Sequence, residues 1–197
     1  MSPLVSKQHR PPQPGSTVSP ARQALVGRLG SGVPTARLEE AARPFSNAQL
    51  ARLLRAGVRL ETAPRDQLHG ARARYLPERH VVQVGPNATL DDLRHELAHA
   101  WDDVRNDHGR AGRSPTDRFH SQVDRRFTDA FETYRRGTAR GRGLATAGQS
   151  ESEAATAPWE FYATGFAMFH SSDPALRERL RSTSPQLFAL ISRDAMP

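Results

Sequence analysis

Ten residues limit what this chain can fold into: Arg94-His95-Glu96-Leu97-Ala98-His99-Ala100-Trp101-Asp102-Asp103. They carry the pattern H-E-x-x-H. On an α-helix of 3.6 residues per turn, positions four apart stand one above the other on one face. His95 and His99 can then aim two imidazole nitrogens at one metal ion, with Glu96 beside the ion's open position. Two histidines and a glutamate at this spacing are the ligand and base set of zinc hydrolases. Two protein ligands leave zinc incompletely held, so the fold has to bring a third from elsewhere in the sequence.

The surroundings favour such a helix. Leu90, Leu93, Leu97, Ala100, Trp101 and Val104 recur at helical spacing, and no Gly or Pro interrupts residues 90–105. Thr89 suits the N-cap, with Asp92 three residues on resembling a capping box. Just upstream, His80-Val81-Val82-Gln83-Val84 is β-branched and closed by Gly85-Pro86, which predicts a strand. Val58–Thr62 and Arg72–Leu76 predict two more. A strand running directly into an H-E-x-x-H helix is the local architecture of zincins, in which an edge strand pairs with extended substrate. The expected fold class is α+β, a zincin-like metallopeptidase domain, mostly helical with a small sheet beside the motif helix.

The candidate third ligand lies in the segment Trp159 to His170, which is almost wholly apolar and therefore reads as a buried helix, with Pro158 in its first turn. Glu160 sits inside it. A carboxylate in such a helix is costly unless paired or bound to a cation. A His2Glu site at His95, His99 and Glu160 follows, with room for water in the fourth position. A first-turn glutamate also complements the helix dipole, and that plainer role stays open on the sequence alone. Asp102 and Asp103 lie three and four residues beyond His99. Either could accept its second N–H and fix its tautomer, with spacing slightly favouring Asp103; ordinary solvated helix charges are the other reading.

With no cysteine in 197 residues, any zinc has to be held by nitrogen and oxygen. No apolar run approaches the roughly 18–20 residues of a membrane span, and no charged-then-apolar leader is read at the start. The net charge is +7, almost all from arginine. It is uneven: residues 1–60 carry nine basic and two acidic side chains, residues 80–110 three and six. The motif region is thus acidic, as a cation site favours. The basic segment 111–145 fits a nucleic-acid surface or an arginine-rich composition with solvated faces, and nucleic acid is not the expected partner. Residues 1–33, rich in Pro, Ser, Gly, Gln and Arg, predict a disordered tail with the composition of a non-Sec export signal. Residues 34–197 predict the folded domain. Its remaining helices are expected at Ala36–Arg43, at Asn47–Ala56 behind a Ser46 cap, at about Thr116–Arg136, and after Asp173 and Ser184. The stripe Phe119, Val123, Phe127, Phe131 and Tyr134 reads as core, and 137–157 as a long loop beside the cleft.

Three blocks together resemble a known family. His95-Glu96-Leu97-Ala98-His99-Ala100 with Asp102-Asp103, Glu160-Phe161-Tyr162-Ala163 with Phe166, and Phe169-His170-Ser171-Ser172-Asp173 resemble the catalytic domain of anthrax lethal factor and related toxin-type zinc metallopeptidases. The likeness spans about residues 80–192. It implies one zinc on His95, His99 and Glu160, Glu96 as general base, and a secreted effector, delivered into a host cell, that cleaves host proteins. The family's tyrosine shortly before the third ligand has no counterpart in Ser150–Thr156, and nothing of its receptor-binding region is present.

Two other readings compete. His108-Gly109 and Phe119-His120 loosely resemble SprT-like proteases, which complete zinc with a later histidine and act on DNA-associated proteins. A non-catalytic zinc-binding module is the third, disfavoured because Glu96 has no structural duty on a polar helix face. Metzincins are excluded, since Asp102 and Arg105 stand where they need Gly and His.

Overall fold

The motif helix and the sheet beside it set the frame. A computed structural model describes residues 20–106, 118–138, 143–146 and 153–194. The sheet holds β1 (Gly30–Ser31), β2 (Arg59–Thr62), β3 (Ala73–Leu76) and β4 (Val81–Val84) in the order β1-β2-β4-β3. The first strand is only two residues long. β1, β2 and β4 run parallel, whereas β3 runs antiparallel to β4 and forms an edge left open among the described residues. The mixed pattern follows from chain length: ten residues between β2 and β3 and four between β3 and β4 permit a short reversal at the edge, with β4 then entering the middle.

Period-two alternation divides the sheet into two faces. Leu60, Val82, Val84, Ala73 and Tyr75 are buried on the inner face, which packs on α4 (Leu90–Arg105). Arg59, Glu61, Gln83 and Arg74 form the outer face. The motif helix starts as its sequence predicts: the Thr89 side chain accepts from Asp92 N at 3.1 Å, and Asp92 Oδ2 accepts from Thr89 N at 2.6 Å. Gly85 joins β4 to this helix under the 68–72 loop. A Cβ there would lie 2.6 Å from Arg72 O and 2.6 Å from Leu68 Cδ1, so only glycine fits.

The folded domain begins earlier than composition suggests. Pro20–Leu29 form helix α1, with Val26 and Leu29 fully buried, and Gly30–Ser31 join the sheet. The boundary expected at residue 33 is therefore corrected for residues 20–33. The cause is local: two apolar side chains reach the core, and Arg22 donates to Ala42 O (2.6 Å), Phe45 O (2.8 Å) and Asn47 Oδ1 (3.2 Å). Those acceptors lie at the end of α2 (Thr35–Ala42) and the start of α3 (Asn47–Arg55). Residues 1–19, the rest of that expected tail, lie outside the described residues.

The long helix expected over Thr116–Arg136 is broken. Helix α5 (His120–Val123) ends at Asp124, extended at φ −77°, ψ 112°, and α6 (Arg125–Thr138) follows. The Asp124 carboxylate takes the Arg126 amide at 2.9 Å and its guanidinium at 2.6 Å, offering the backbone a competing local bond. Phe127, Phe131 and Tyr134 are buried, as expected. Helix α7 (Pro158–His170) runs through the middle of the molecule, buried from Phe161 to Met168. Gly165 admits α9 (Pro185–Asp194) against it: a Cβ there would sit 2.3 Å from Leu187 Cδ2. Between them α8 (Pro174–Thr183) opens on the Asp173 cap, whose carboxylate accepts from Ala175 N.

Candidate metal and active site

Helices α4 and α7 pack against each other and bring the candidate ligands together. His95 and His99 approach within 3.0 Å at their Nε2 atoms. Glu160, in the first turn of α7, places Oε2 3.3 Å from His95 Nε2 and 3.5 Å from His99 Nε2. Among the described residues, these three form a group whose donor atoms all lie within 4.8 Å of one another. Both histidines are buried and Glu160 is half-buried, so the nitrogens converge on a wall with one open side. Two imidazoles and a carboxylate, with no thiolate anywhere in the chain, suit a borderline divalent ion.

Electrostatics agree with that fit. Burial alone would lower the His99 pKa, but the Glu160, Glu96 and Asp102 carboxylates outweigh it and raise it. Burial pushes the Glu160 carboxyl up, yet His99 and His95 hold it well below the usual carboxylate range. Three acids gathered around two buried imidazoles give a site that favours positive charge.

Glu96 points from α4 toward β3, where its Oε2 accepts the Tyr75 amide at 2.6 Å. Strand pairing explains why that amide is available. Gly85 N donates to Arg72 O, so alternate residues of β3 bond to β4, while Ala73 and Tyr75 turn their N–H and C=O toward the open edge. The edge strand therefore both bounds the cleft and orients the candidate base.

Asp103 does not support His99. Its Oδ2 accepts from the Tyr75 hydroxyl at 2.7 Å and its Oδ1 from Arg118 Nε at 3.0 Å, while His80 Nδ1 lies 3.6 Å away. The carboxylate lies one turn beyond His99, at the Tyr75 hydroxyl, and Arg118 also reaches Glu78 and Pro77 O. Asp102 is fully buried but committed to Arg105 and Ser121. The His99 Nδ1 has no hydrogen-bond partner among the described residues.

His120 stands apart from the cluster and pairs with Asp124 at 3.1 Å. His108 lies outside the described residues. Phe119, read from its stripe as core, is half-buried and lines the cleft: its ring centroid is 5.9 Å from His99 and 5.7 Å from Trp159, stacked at 18°. Sequence reasoning missed this aromatic wall because Phe119 and Trp159 are 40 positions apart. Trp159's place beside Glu160 was the available signal. Two tyrosines near the site in sequence are engaged elsewhere: Tyr134 Oη accepts from Leu144 N at 2.7 Å, and Tyr162 is fully buried under the Arg105 guanidinium. Glu153, from the stretch before the third ligand, lines the cleft instead. The whole cleft encloses about 1140 Å³ between β3, the 68–72 loop and the start of α7.

No protein-family profile matches this sequence, and no curated protein matches it. Among solved structures, it is similar to the Pro-Pro endopeptidase PPEP-2 from Paenibacillus alvei. The TM-score is 0.57 at 19% identity, over 86% of this chain and 98% of that one. The fold is therefore α+β and zincin-like, a mostly helical domain with a small sheet beside the motif helix. At this identity the likeness speaks for the fold alone.

Proposed function

We propose that this chain is a zinc-dependent endopeptidase in which His95, His99 and Glu160 hold one zinc and Glu96 is the general base. The observation that carries the reading is the convergence of these three donors, from two helices 61 positions apart, on the wall that Glu96 faces. When bound, zinc supplies a Lewis acid for the scissile carbonyl and the attacking water. Glu96 is held through one oxygen by the Tyr75 amide, which leaves the other free to take the water's proton and pass it to the leaving amine. Ala73, through its N–H and C=O, and the Tyr75 carbonyl offer edge groups to an extended peptide, while the Tyr75 N–H stays on Glu96; the Phe119–Trp159 wall packs a side chain while excluding water. His120 is ion-paired outside the cluster, so this ligand set is favoured over a SprT-like one.

The resemblance of the three sequence blocks to lethal factor-type enzymes supports a finer reading: a secreted effector or toxin, delivered by a non-Sec route, that cuts host proteins. No helix among the described residues is long and apolar enough to cross a membrane. The test is metal content followed by digestion of a peptide panel before and after chelation, with zinc added back. Panel members should include consecutive prolines, the bond type named for the structural neighbour. One zinc per chain and cleavage that chelation stops and zinc restores are expected. Cleavage indifferent to chelation, or none with full zinc, overturns the proposal.

A further inference from the structure

The outer face of the sheet ends in charge that no described residue answers. Arg72 and Arg74 are exposed and line the cleft. In the row across the sheet, Arg74 stands opposite Gln83, and Gln83 opposite Glu61. Glu61 is already engaged by Arg59 at 2.8 Å and Arg79 at 3.8 Å. Arg72 faces Gly85 across the strand pair, with Gly85 N bonded to its carbonyl. Neither arginine has an ion-pair partner among the described residues, and both stand at the edge of the sheet, where no described residue takes the row's next place.

A strand added beside β3 continues those rows. Its residue opposite Arg74 sets its side chain on the same outer face, with Cβ atoms about 4.5–5.5 Å apart. The period of two brings its second neighbour opposite Arg72. Side chains on the inner face go instead to the cleft floor with Glu96 and Glu160. Glu153 lines the cleft as well and repels acidic groups from its own side.

Resting on the peptidase reading above, we propose that Arg72 and Arg74 select substrates bearing acidic residues at two outward-facing positions, i and i+2, of the strand that docks on β3. The substrate class is an acidic peptide segment, read by two arginines whose attraction salt screens.

A peptide-mixture digest read by mass spectrometry tests this, with Glu96→Gln as the blank and the charge-reversed R72E/R74E protein as the comparison. Wild type should enrich Asp or Glu at two positions spaced by two, by about 1.5- to 5-fold per arginine as exposed ion pairs give, and less as salt rises. The reversed protein should prefer Lys or Arg at the same positions. A folding defect lowers all peptides alike, so the ratio of acidic to basic products isolates recognition. Glu96-dependent cleavage with no acidic preference, or with the same preference in R72E/R74E, overturns the inference and leaves the peptidase reading standing. No Glu96-dependent cleavage at all overturns both.

Discussion

Replacing Glu96 with glutamine separates proton transfer from everything else the site does. The side chain accepts the Tyr75 amide at 2.6 Å through one oxygen, and glutamine keeps a carbonyl oxygen for that bond. It does not belong to the His95, His99 and Glu160 cluster, so the metal ligands stay in place. The lost function is the base, worth about 10²- to 10⁴-fold, or about 3–5 kcal/mol on the barrier. Stability should change by no more than about 0.5 kcal/mol at a half-buried site whose hydrogen bond is retained. That corresponds to about 1–2 °C in Tm for a chain of this size. The assay compares kcat/KM on one peptide, zinc content and thermal unfolding of the same preparation. Glu96→Asp is the companion: it keeps a carboxylate but cannot span from α4 to both Tyr75 N and the reacting water, and a displacement near 1 Å costs about 10²-fold. If Glu96→Gln holds zinc and still cleaves within about ten-fold of wild type, the role given to Glu96 is wrong.

Glu160→Ala should lose metal on dialysis against a weak chelator, whereas His120→Ala, which removes the Asp124 ion pair and the edge contact with Phe127, should keep it. The opposite pattern would move the third ligand to His120. Asp102→Asn should lower stability in urea unfolding by about 1.5–3 kcal/mol, because the fully buried Asp102 carboxylate accepts from Ser121 and Arg105, while Asp194 still pairs the Arg105 guanidinium; a loss below about 0.5 kcal/mol would refute that account. Burial, helped by Arg94 and Arg177, lowers the His170 pKa to about 4. The unfolded chain, with an ordinary value near 6.5, then binds the proton first, so His170 costs stability as pH falls from about 6.5 to about 4. His170→Gln should remove that part of the slope, measured as the difference from wild type at each pH, and an unchanged slope would count against it.

The ends of the elements follow from short-range chemistry, and they are legible in the sequence. Thr89 with Asp92 and Ser46 with Gln49 form the reciprocal caps that their spacing predicts, and Pro158, Asp173-Pro174 and Ser184-Pro185 mark true helix starts. Composition misled at residues 20–33, because averaging over a Pro- and Gly-rich stretch hides Val26, Leu29 and Arg22, which find their partners only in the assembled fold. Asp124 broke a helix that hydrophobic periodicity alone extended, since periodicity does not register a side chain competing for the Arg126 amide.

For the site, the sequence by itself determined what local geometry can determine. Positions 95 and 99 share a helix face whatever the rest of the chain does, and Glu160 is an acid in a helix too apolar to be exposed. Tertiary structure decided everything that depends on distance between remote segments. It brought Glu160 within 3.5 Å of both imidazoles, and turned Asp103 to Tyr75 and Arg118 instead of His99. It also made β3 the edge strand that holds Glu96 on one side and leaves Arg72 and Arg74 exposed at the rim of the cleft. The physical reason is range: caps and helix faces are fixed by bonds within a few residues, whereas partners across a cleft are chosen by the packing of helices and strands that only the whole chain specifies.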